Sequence, residues 1–190
     1  MVKRPLKVNL GCGPSRIEGW VTWFRKLLIE LNLLAKNYET KWPPLALVDI
    51  RRKLPLRDQS VDFIYCSHVL EHFEKWQSES ILKECKRVLK KTGIIRVILP
   101  DLKLMIDQFN SAEEFCRQFY GYNKDQKRWY KIFVRGHQWM YDKKSIIKEI
   151  KKAGFGKVNV VGWRQGLVPD IDKLDLYEQR MISLYIEAKA

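Results

Sequence analysis

Hydrophobic and polar residues follow two different periods along this chain, and the changes of period predict where strands and helices lie. The alternation of Leu6, Val8 and Leu10 with polar residues predicts a short buried strand that leads into a glycine turn at 11–13. Apolar runs predict further strands at 45–50, 61–66, 94–99, 158–161 and 182–188. Apolar residues spaced three and four positions apart predict helices at 23–36, 79–91 and 143–152.

Residues with strong capping preferences mark the ends of two of these helices. Asp142 is a good N-cap for the helix 143–152, and Gly93 stands where the helix 79–91 would end. The segment 162–180 is long enough for a loop and a short helix. The segment 102–140 is irregular, with many aromatic and basic residues, and we predict that it forms a lid-like insertion.

The order of the predicted elements indicates the fold class. Strands and helices alternate in the first half of the chain, whereas the last two strands have no full helical crossover between them. This order predicts an α/β fold, a doubly wound Rossmann-like sheet of about seven strands, mostly parallel with an antiparallel C-terminal edge strand. We expect residues 1–190 to form a single domain.

The net charge and the composition limit the classes of binding partner but do not identify one. The chain has 36 Lys and Arg against 22 Asp and Glu, a net charge of +14, which attracts nucleic acid, anionic membrane surface or acidic small molecules. No apolar run approaches the roughly 20 residues of a membrane span, and no signal peptide precedes the first strand, so we expect a cytoplasmic protein. The four cysteines lie far apart, without histidines at zinc-ligand spacing, and predict reduced thiols and no metal site.

The glycine turn after the first strand is the strongest local sign of a ligand. Open α/β sheets bind ligands beyond the carboxyl ends of their strands, and glycine allows close approach to the backbone. A dinucleotide fingerprint would need a third glycine three residues after Gly13, where Arg16 stands. A phosphate-binding loop would need Gly-Lys-Ser/Thr, which the chain lacks. The remaining interpretations are a turn suited to S-adenosylmethionine and a purely structural strand-to-loop turn.

Several motifs in order resemble those of class I S-adenosylmethionine-dependent methyltransferases, and more narrowly the small predicted methyltransferases associated with surface polysaccharide or lipopolysaccharide biosynthesis. The resemblance covers 6–102 well and the rest loosely. The motifs are 8–13 (Val-Asn-Leu-Gly-Cys-Gly), 49–50 with 54–55, 58–62, 67–73 (Ser-His-Val-Leu-Glu-His-Phe), 87–90 with Gly93, 99–102, and 136–139 (Gly-His-Gln-Trp) with Tyr141.

The resemblance implies a fold of the predicted class, S-adenosylmethionine as the cofactor, and a set of binding residues. Gly11 and Gly13 would line the methionine end of the cofactor, and Asp49 would accept a hydrogen bond from the adenine amino group with Ile50 beside the ring. Ser67 and His68 would border both the cofactor and the methyl acceptor. The full set that the resemblance implies is Leu10, Gly11, Cys12, Gly13, Asp49, Ile50, Leu54, Ser67, His68, Val69 and His72.

One departure from the family pattern concerns the cofactor ribose. These enzymes usually carry an acid at the end of the second strand, where this chain has Phe24, and an aromatic ring cannot accept hydrogen bonds from the ribose hydroxyls as a carboxylate does. Either Glu18, Glu30 or Glu39 substitutes, or cofactor affinity is reduced, or catalysis has been lost.

The histidines are the candidate catalytic groups. His137 ends the aromatic segment, and its neutral imidazole could take a proton from an acceptor hydroxyl near pH 7. His68 is the second candidate. The alternative interpretation is structural, with His68 and His72 capping or packing in the turn 67–73 and His137 half-buried among aromatic residues.

The sequence thus favours methyl transfer to an oxygen or nitrogen nucleophile of a small-molecule or saccharide-type acceptor, for which Arg and Lys of the lid could hold an anionic group. The net charge leaves an RNA methyltransferase as an alternative, although no Asn/Asp-Pro-Pro-Tyr or Pro-Cys motif follows the predicted strand 61–66. The missing ribose acid leaves a third alternative, a non-catalytic module that binds the cofactor or RNA. The sequence does not indicate an oligomeric state.

Overall fold

The computed structural model describes residues 4–10, 20–24, 46–120 and 136–190. Within these ranges seven strands form one sheet: β1 (Lys7–Leu10), β2 (Trp20–Phe24), β3 (Ala46–Leu47), β4 (Val61–Ser67), β5 (Leu89–Pro100), β6 (Val158–Val161) and β7 (Ser183–Lys189). Their spatial order is β3-β2-β1-β4-β5-β7-β6. The first five strands run parallel, and β7 runs antiparallel to both of its neighbours.

The predicted fold class, a mostly parallel α/β sheet with an antiparallel C-terminal strand, is confirmed. The antiparallel strand β7 lies one position in from the edge, between β5 and β6, rather than at the edge itself. Its position follows from the pairing of 94–100 on β5 with 183–189 on β7, which leaves β6 as the outermost strand.

Helices cover the sheet and connect its strands. They are α1 (Lys75–Val88), α2 (Leu102–Gln108), α3 (Ala112–Tyr120), α4 (Lys143–Lys152) and α5 (Ile171–Leu174), with 3-10 turns at Leu70–His72 and Tyr177–Gln179. One buried cluster joins α1 and α4 to the sheet, and includes Ile64, Ile81, Leu82, Ile146 and Ile150. A second cluster is built from sheet residues and the 163–174 segment, and includes Tyr65, Ile98, Val168, Leu174 and Tyr185. The helices therefore bury their apolar faces against the sheet, as the helical spacing of those residues requires.

The boundary predicted for the helix 79–91 was wrong at both ends. The helix α1 begins one turn earlier because Glu74 and Gln77 form a capping box, in which the Glu74 amide donates to Oε1 of Gln77 at 3.1 Å. The helix ends at Val88 because Leu89 is extended and pairs with Val61 across an irregular stretch of β4 and β5. Gly93 is therefore inside a strand, where a Cβ would lie 2.8 Å from Leu89 Cδ2 and 2.9 Å from the Lys90 carbonyl oxygen.

The predicted helix 23–36 was wrong at its first two residues. Trp23 and Phe24 belong to β2, and Trp23 pairs with Leu10 on β1 and with Ala46 on β3. Parallel pairing with two neighbours outweighs the leucine spacing that follows. The rest of that predicted helix lies outside the described residues, and β3 is shorter than the predicted strand 45–50.

The boundaries predicted for the helix 143–152 are confirmed. The helix α4 occupies 143–152 as predicted, and Oδ1 of its N-cap Asp142 accepts from the Ser145 amide at 2.7 Å. The predicted insertion at 102–140 contains α2 and α3, and 121–135 lie outside the described residues. Within the part of the chain that the structure describes, no helix is both long enough and apolar enough to cross a membrane.

Candidate active site

The carboxyl ends of β1 and β4 lie side by side in the middle of the sheet. Leu10, the last residue of β1, pairs with Cys66 on β4, so the chain leaves both strands at the same edge. Leu10 is fully buried. Gly11, Cys12 and Gly13, which follow it, lie outside the described residues. The described part of this edge is therefore formed by the residues that follow β4.

The chain turns sharply where it leaves β4. His68 has a φ of 51°, in the left-handed region, and its amide donates to the Ile98 carbonyl at 2.9 Å. Its Nε2 lies 3.1 Å from the Ser183 hydroxyl, and the Ser67 hydroxyl donates to Oε1 of Gln179 at 3.3 Å. These contacts hold Ser67 and His68 at the carboxyl edge of the sheet, where the sequence predicted them.

The most unusual group at this edge is the carboxylate of Glu71, on the 3-10 turn Leu70–His72. The residue is fully buried, and neither of its carboxylate oxygens has a hydrogen-bond partner among the described residues. The Nδ1 atom of His68 lies 3.1 Å from Oε1, but not in hydrogen-bonding geometry. The sequence alone did not indicate a chemical role for Glu71. A Glu between two histidines, 68 and 72, is the signal that could have indicated it.

His137 reaches the same place from a distant part of the chain. The Gln138 and Trp139 amides donate to the main-chain carbonyl of Glu71 at 2.6 and 3.2 Å, which fixes the segment carrying His137 against the 3-10 turn. The His72 and His137 ring centroids are 5.1 Å apart. Three histidines thus surround one buried carboxylate, although only two of them are near Glu71 in sequence.

The electrostatic surroundings of His137 favour its neutral form. Burial lowers the pKa of His137 below 6.5, because removal from water disfavours the imidazolium ion. Glu71 opposes this shift, while His72 and His68 add to it. The Nδ1 atom of His137 is buried and has no hydrogen-bond partner among the described residues. The imidazole therefore offers a free nitrogen next to Glu71.

Asp49, the predicted adenine ligand, follows β3 and is already paired. Arg51 makes three hydrogen bonds to the Asp49 carboxylate. Oδ1 of Asp49 accepts from the Arg51 amide at 3.1 Å and from the Arg51 Nε at 2.8 Å, and Oδ2 accepts from the Arg51 Nη2 at 2.7 Å. The hydrogen bonds from Arg51 lower the pKa of Asp49. Each carboxylate oxygen has more than one acceptor site, so this pairing leaves Asp49 ionised and able to accept a further hydrogen bond.

The structure separates the predicted site residues into four groups. His68, His72 and His137 come together around Glu71, and Ser67, next to His68 in the chain, donates to Gln179. Asp49 follows β3 and is paired with Arg51. Other predicted residues contribute to or pack against the hydrophobic core: Leu10, Leu54, Val69 and, half-buried, Ile50. The glycine turn and the candidate ribose acids Glu18, Glu30 and Glu39 lie outside the described residues, and Phe24 ends β2 as the resemblance implied.

Comparison with known proteins agrees with this architecture. The sequence profile of a family described as a methyltransferase domain matches residues 8–97. A SAM-dependent methyltransferase from Archaeoglobus fulgidus has a similar structure, with a TM-score of 0.58 and 16% identity, over 98% of this chain and 86% of that chain. One from Thermotoga maritima has a TM-score of 0.57 and 18% identity, over 100% and 84% of the two chains. No curated protein matches the sequence significantly.

The similar solved structures establish the fold, and the match to the family profile indicates methyltransferase activity. The profile begins in β1 and ends in β5, so it includes the strand ends and the turn that carry Ser67, His68, Glu71 and His72. Residues 8–97 therefore match a methyltransferase domain within a fold shared with SAM-dependent methyltransferases, which indicates methyl transfer with S-adenosylmethionine as the cofactor.

Proposed function

We propose that this enzyme transfers the methyl group of S-adenosylmethionine to an oxygen or nitrogen nucleophile of a small-molecule or saccharide-type acceptor. The observation that carries this proposal is the group formed by the buried carboxylate of Glu71 and the three histidines around it at the carboxyl edge of the sheet. The resemblance of 136–139 and Tyr141 to the methyltransferases of surface polysaccharide biosynthesis favours a saccharide-type acceptor.

The cofactor would lie across the carboxyl ends of β1 and its neighbours. We assign Gly11, Cys12 and Gly13 to its methionine end, and Asp49 with Ile50 to the adenine. We assign Ser67 and His68 to the border between cofactor and acceptor. The remaining cofactor contacts are assigned to Leu10, Leu54, Val69 and His72. This arrangement would direct the sulfonium toward the histidines.

The chemistry asked of the protein is modest, since a sulfonium is intrinsically reactive. Positioning the acceptor in line with the methyl group and excluding water would supply most of the acceleration. A hydroxyl acceptor also has to lose its proton, and the free imidazole nitrogen of His137 is the first candidate to take it. His68, beside Glu71, is the second candidate.

The test compares His137→Ala with Gln138→Ala, whose side chain donates to the Gly136 carbonyl among the described residues. Methyl transfer from labelled S-adenosylmethionine is followed into saccharide and small-molecule fractions of a cell extract. We expect His137→Ala to keep its cofactor affinity and to transfer methyl about 10²-fold more slowly, with Gln138→Ala close to wild type. An unchanged rate in His137→Ala would remove this residue from the reaction.

The net charge of +14 favours one competing function, methylation of RNA. In the same labelling experiment an RNA methyltransferase would place the label in a fraction that ribonuclease destroys. A non-catalytic module would bind the cofactor, or RNA, and transfer no label to any fraction. We expect the label in ribonuclease-resistant material, and either other result would overturn the proposed function.

A further inference from the structure

The side chains of Glu71, His72 and His137 form a set of ligands that the methyl-transfer proposal does not require. One potential ligand atom from each of them lies within 4.8 Å of the other two. A carboxylate and two imidazoles are a frequent ligand set for divalent transition-metal ions such as Zn²⁺. We propose that Glu71, His72 and His137 bind a divalent transition-metal ion at the carboxyl edge of the sheet.

The buried carboxylate of Glu71 is the group that most favours a bound cation at this site. A buried carboxylate without hydrogen bonds is costly unless a positive charge lies next to it. Among the described residues, the basic group within ion-pair distance of Glu71 is His68, which carries charge only when protonated. A divalent cation would compensate the negative charge of the carboxylate and bind one of its two unpaired oxygens.

The two imidazoles supply the remaining ligand atoms and an entry route. The buried Nδ1 of His137 has no hydrogen-bond partner among the described residues, so its lone pair is available. His72 is exposed, so an ion can reach the site from solvent on that side. Tetrahedral Zn²⁺ with bonds of about 2.0–2.2 Å would bring its ligand atoms to about 3.3–3.6 Å of one another, a contraction from the observed spacing of up to 4.8 Å.

His68 would support the metal site without being one of its three ligands. Its ring lies between Glu71, at 3.1 Å from Oε1, and the Ser183 hydroxyl, at 3.1 Å from Nε2. Residues that orient a metal ligand in this way commonly contribute 10- to 100-fold to metal affinity. The spacing of the histidines in the sequence gave no sign of the site, because His137 is brought in by the main-chain hydrogen bonds to Glu71.

The metal site is inferred from these contacts alone and does not depend on the acceptor. In the metal-loaded protein the lone pair of His137 would bind the ion and would no longer accept a proton. An open position on the ion could then hold the acceptor oxygen and promote loss of its proton to solvent. The two proposals therefore share residues but make separate predictions, one for metal binding and one for methyl transfer.

The test is calorimetric titration of the chelator-treated full chain with Zn²⁺, without cofactor or acceptor. We expect one equivalent to bind and to raise the melting temperature of the protein. Glu71→Gln and the double variant His72→Ala/His137→Ala should lose this binding, and His68→Ala should bind about 10- to 100-fold more weakly. Cys116→Ser, which removes an exposed thiol, should bind as the wild type does.

Absence of saturable Zn²⁺ binding by the wild type would overturn the metal site, as would full binding by the double variant. Circular dichroism of each variant distinguishes loss of ligands from loss of folding. If Glu71→Gln does not fold, the double variant decides alone, because it leaves the buried carboxylate unchanged. A protein that binds no metal yet transfers methyl would refute this inference and leave the proposed function intact.

Discussion

Arg96 and Asp175 form an ion pair in which neither side chain is exposed to solvent. Two hydrogen bonds join them, from Nη2 to Oδ2 at 2.5 Å and from Nε to Oδ1 at 3.1 Å. The remaining guanidinium nitrogen, Nη1, donates to Oε1 of Glu187 on β7 and to the Gln165 carbonyl. One arginine thereby connects β5, β7 and the segment that leads from β6 back to the sheet.

Removing this arginine should destabilise the protein strongly. Arg96→Leu would leave the carboxylates of Asp175 and Glu187 buried without their cation, so we expect the free energy of unfolding to fall by about 3–5 kcal/mol. Lys103→Ala is the matched control, because it breaks the exposed pair with Asp107 and should cost less than about 1 kcal/mol. Urea unfolding measures the free energy of unfolding of both variants. A loss in Arg96→Leu as small as that in Lys103→Ala would contradict the stabilising role of the buried ion pair.

Asp49 should contribute to cofactor affinity. If it accepts a hydrogen bond from the adenine amino group, Asp49→Ala leaves that donor unpaired at a cost of about 1–3 kcal/mol, or roughly tenfold or more in affinity. Asp58→Ala removes another acid of the same loop, which pairs with Arg87, and should leave the affinity unchanged. Calorimetry with S-adenosylhomocysteine compares the variants, and equal affinities would exclude Asp49 from the site.

The glycine turn that follows β1 should tolerate no large side chain. We expect Gly13→Arg to abolish cofactor binding by filling the space of the ligand, with the fold retained by circular dichroism. Gly156→Arg is the control, since the nearest atom to a Cβ there is the Lys189 carbonyl oxygen at 3.9 Å. Tight binding of a nicotinamide dinucleotide instead would show that the turn was misinterpreted.

The N-cap of α4 should make stability depend on pH. The hydrogen bond from the Ser145 amide lowers the pKa of Asp142 below 3.8, so the folded state binds this proton less tightly than the unfolded chain. The contribution is therefore complete above the unfolded pKa and is lost as pH falls through the folded pKa. Asp142→Ala should cost about 1 kcal/mol at pH 7 and less near pH 2.

Urea unfolding at the two pH values checks this prediction. Asp142→Asn keeps a capping oxygen but cannot titrate, so its difference from Asp142→Ala should vary little with pH. A cost of Asp142→Ala that is the same at both pH values would show that the ionised carboxylate is not what stabilises the helix.

The sequence predicted the fold best where local preferences agree with long-range pairing. Asp142 caps α4 at the predicted residue because the cap depends on adjacent residues, and β6 has its predicted bounds because its apolar run coincides with the stretch that pairs with β7. Gly93 and Trp23 were misassigned because strand pairing decided their conformation. Pairing between distant segments leaves no periodic trace in either segment alone.

In the candidate site, too, the sequence predicted what depends on neighbouring residues and did not predict what depends on distant ones. Ser67 and His68 were predicted at the sheet edge because they directly follow an apolar strand. The residues next to Glu71 in the sequence did not indicate its role. Its carboxylate oxygens lack hydrogen bonds to other described residues because of how His68 and His137 are oriented. His137 was predicted near the acceptor from its place in the chain, and its contact with Glu71 became visible only in three dimensions.

The position of β7 inside the sheet determines when the fold can be completed. Ile94 on β5 pairs with Lys189, and β6 pairs only with β7 among the described strands, so neither arrangement can form before 183–189 have been synthesised. Until then β5 presents a long apolar edge with unpaired main-chain groups. Pairing over such sequence distances is slow, and exposed edges promote aggregation. The nascent chain is therefore exposed to aggregation through β5 in the interval before β7 emerges from the ribosome.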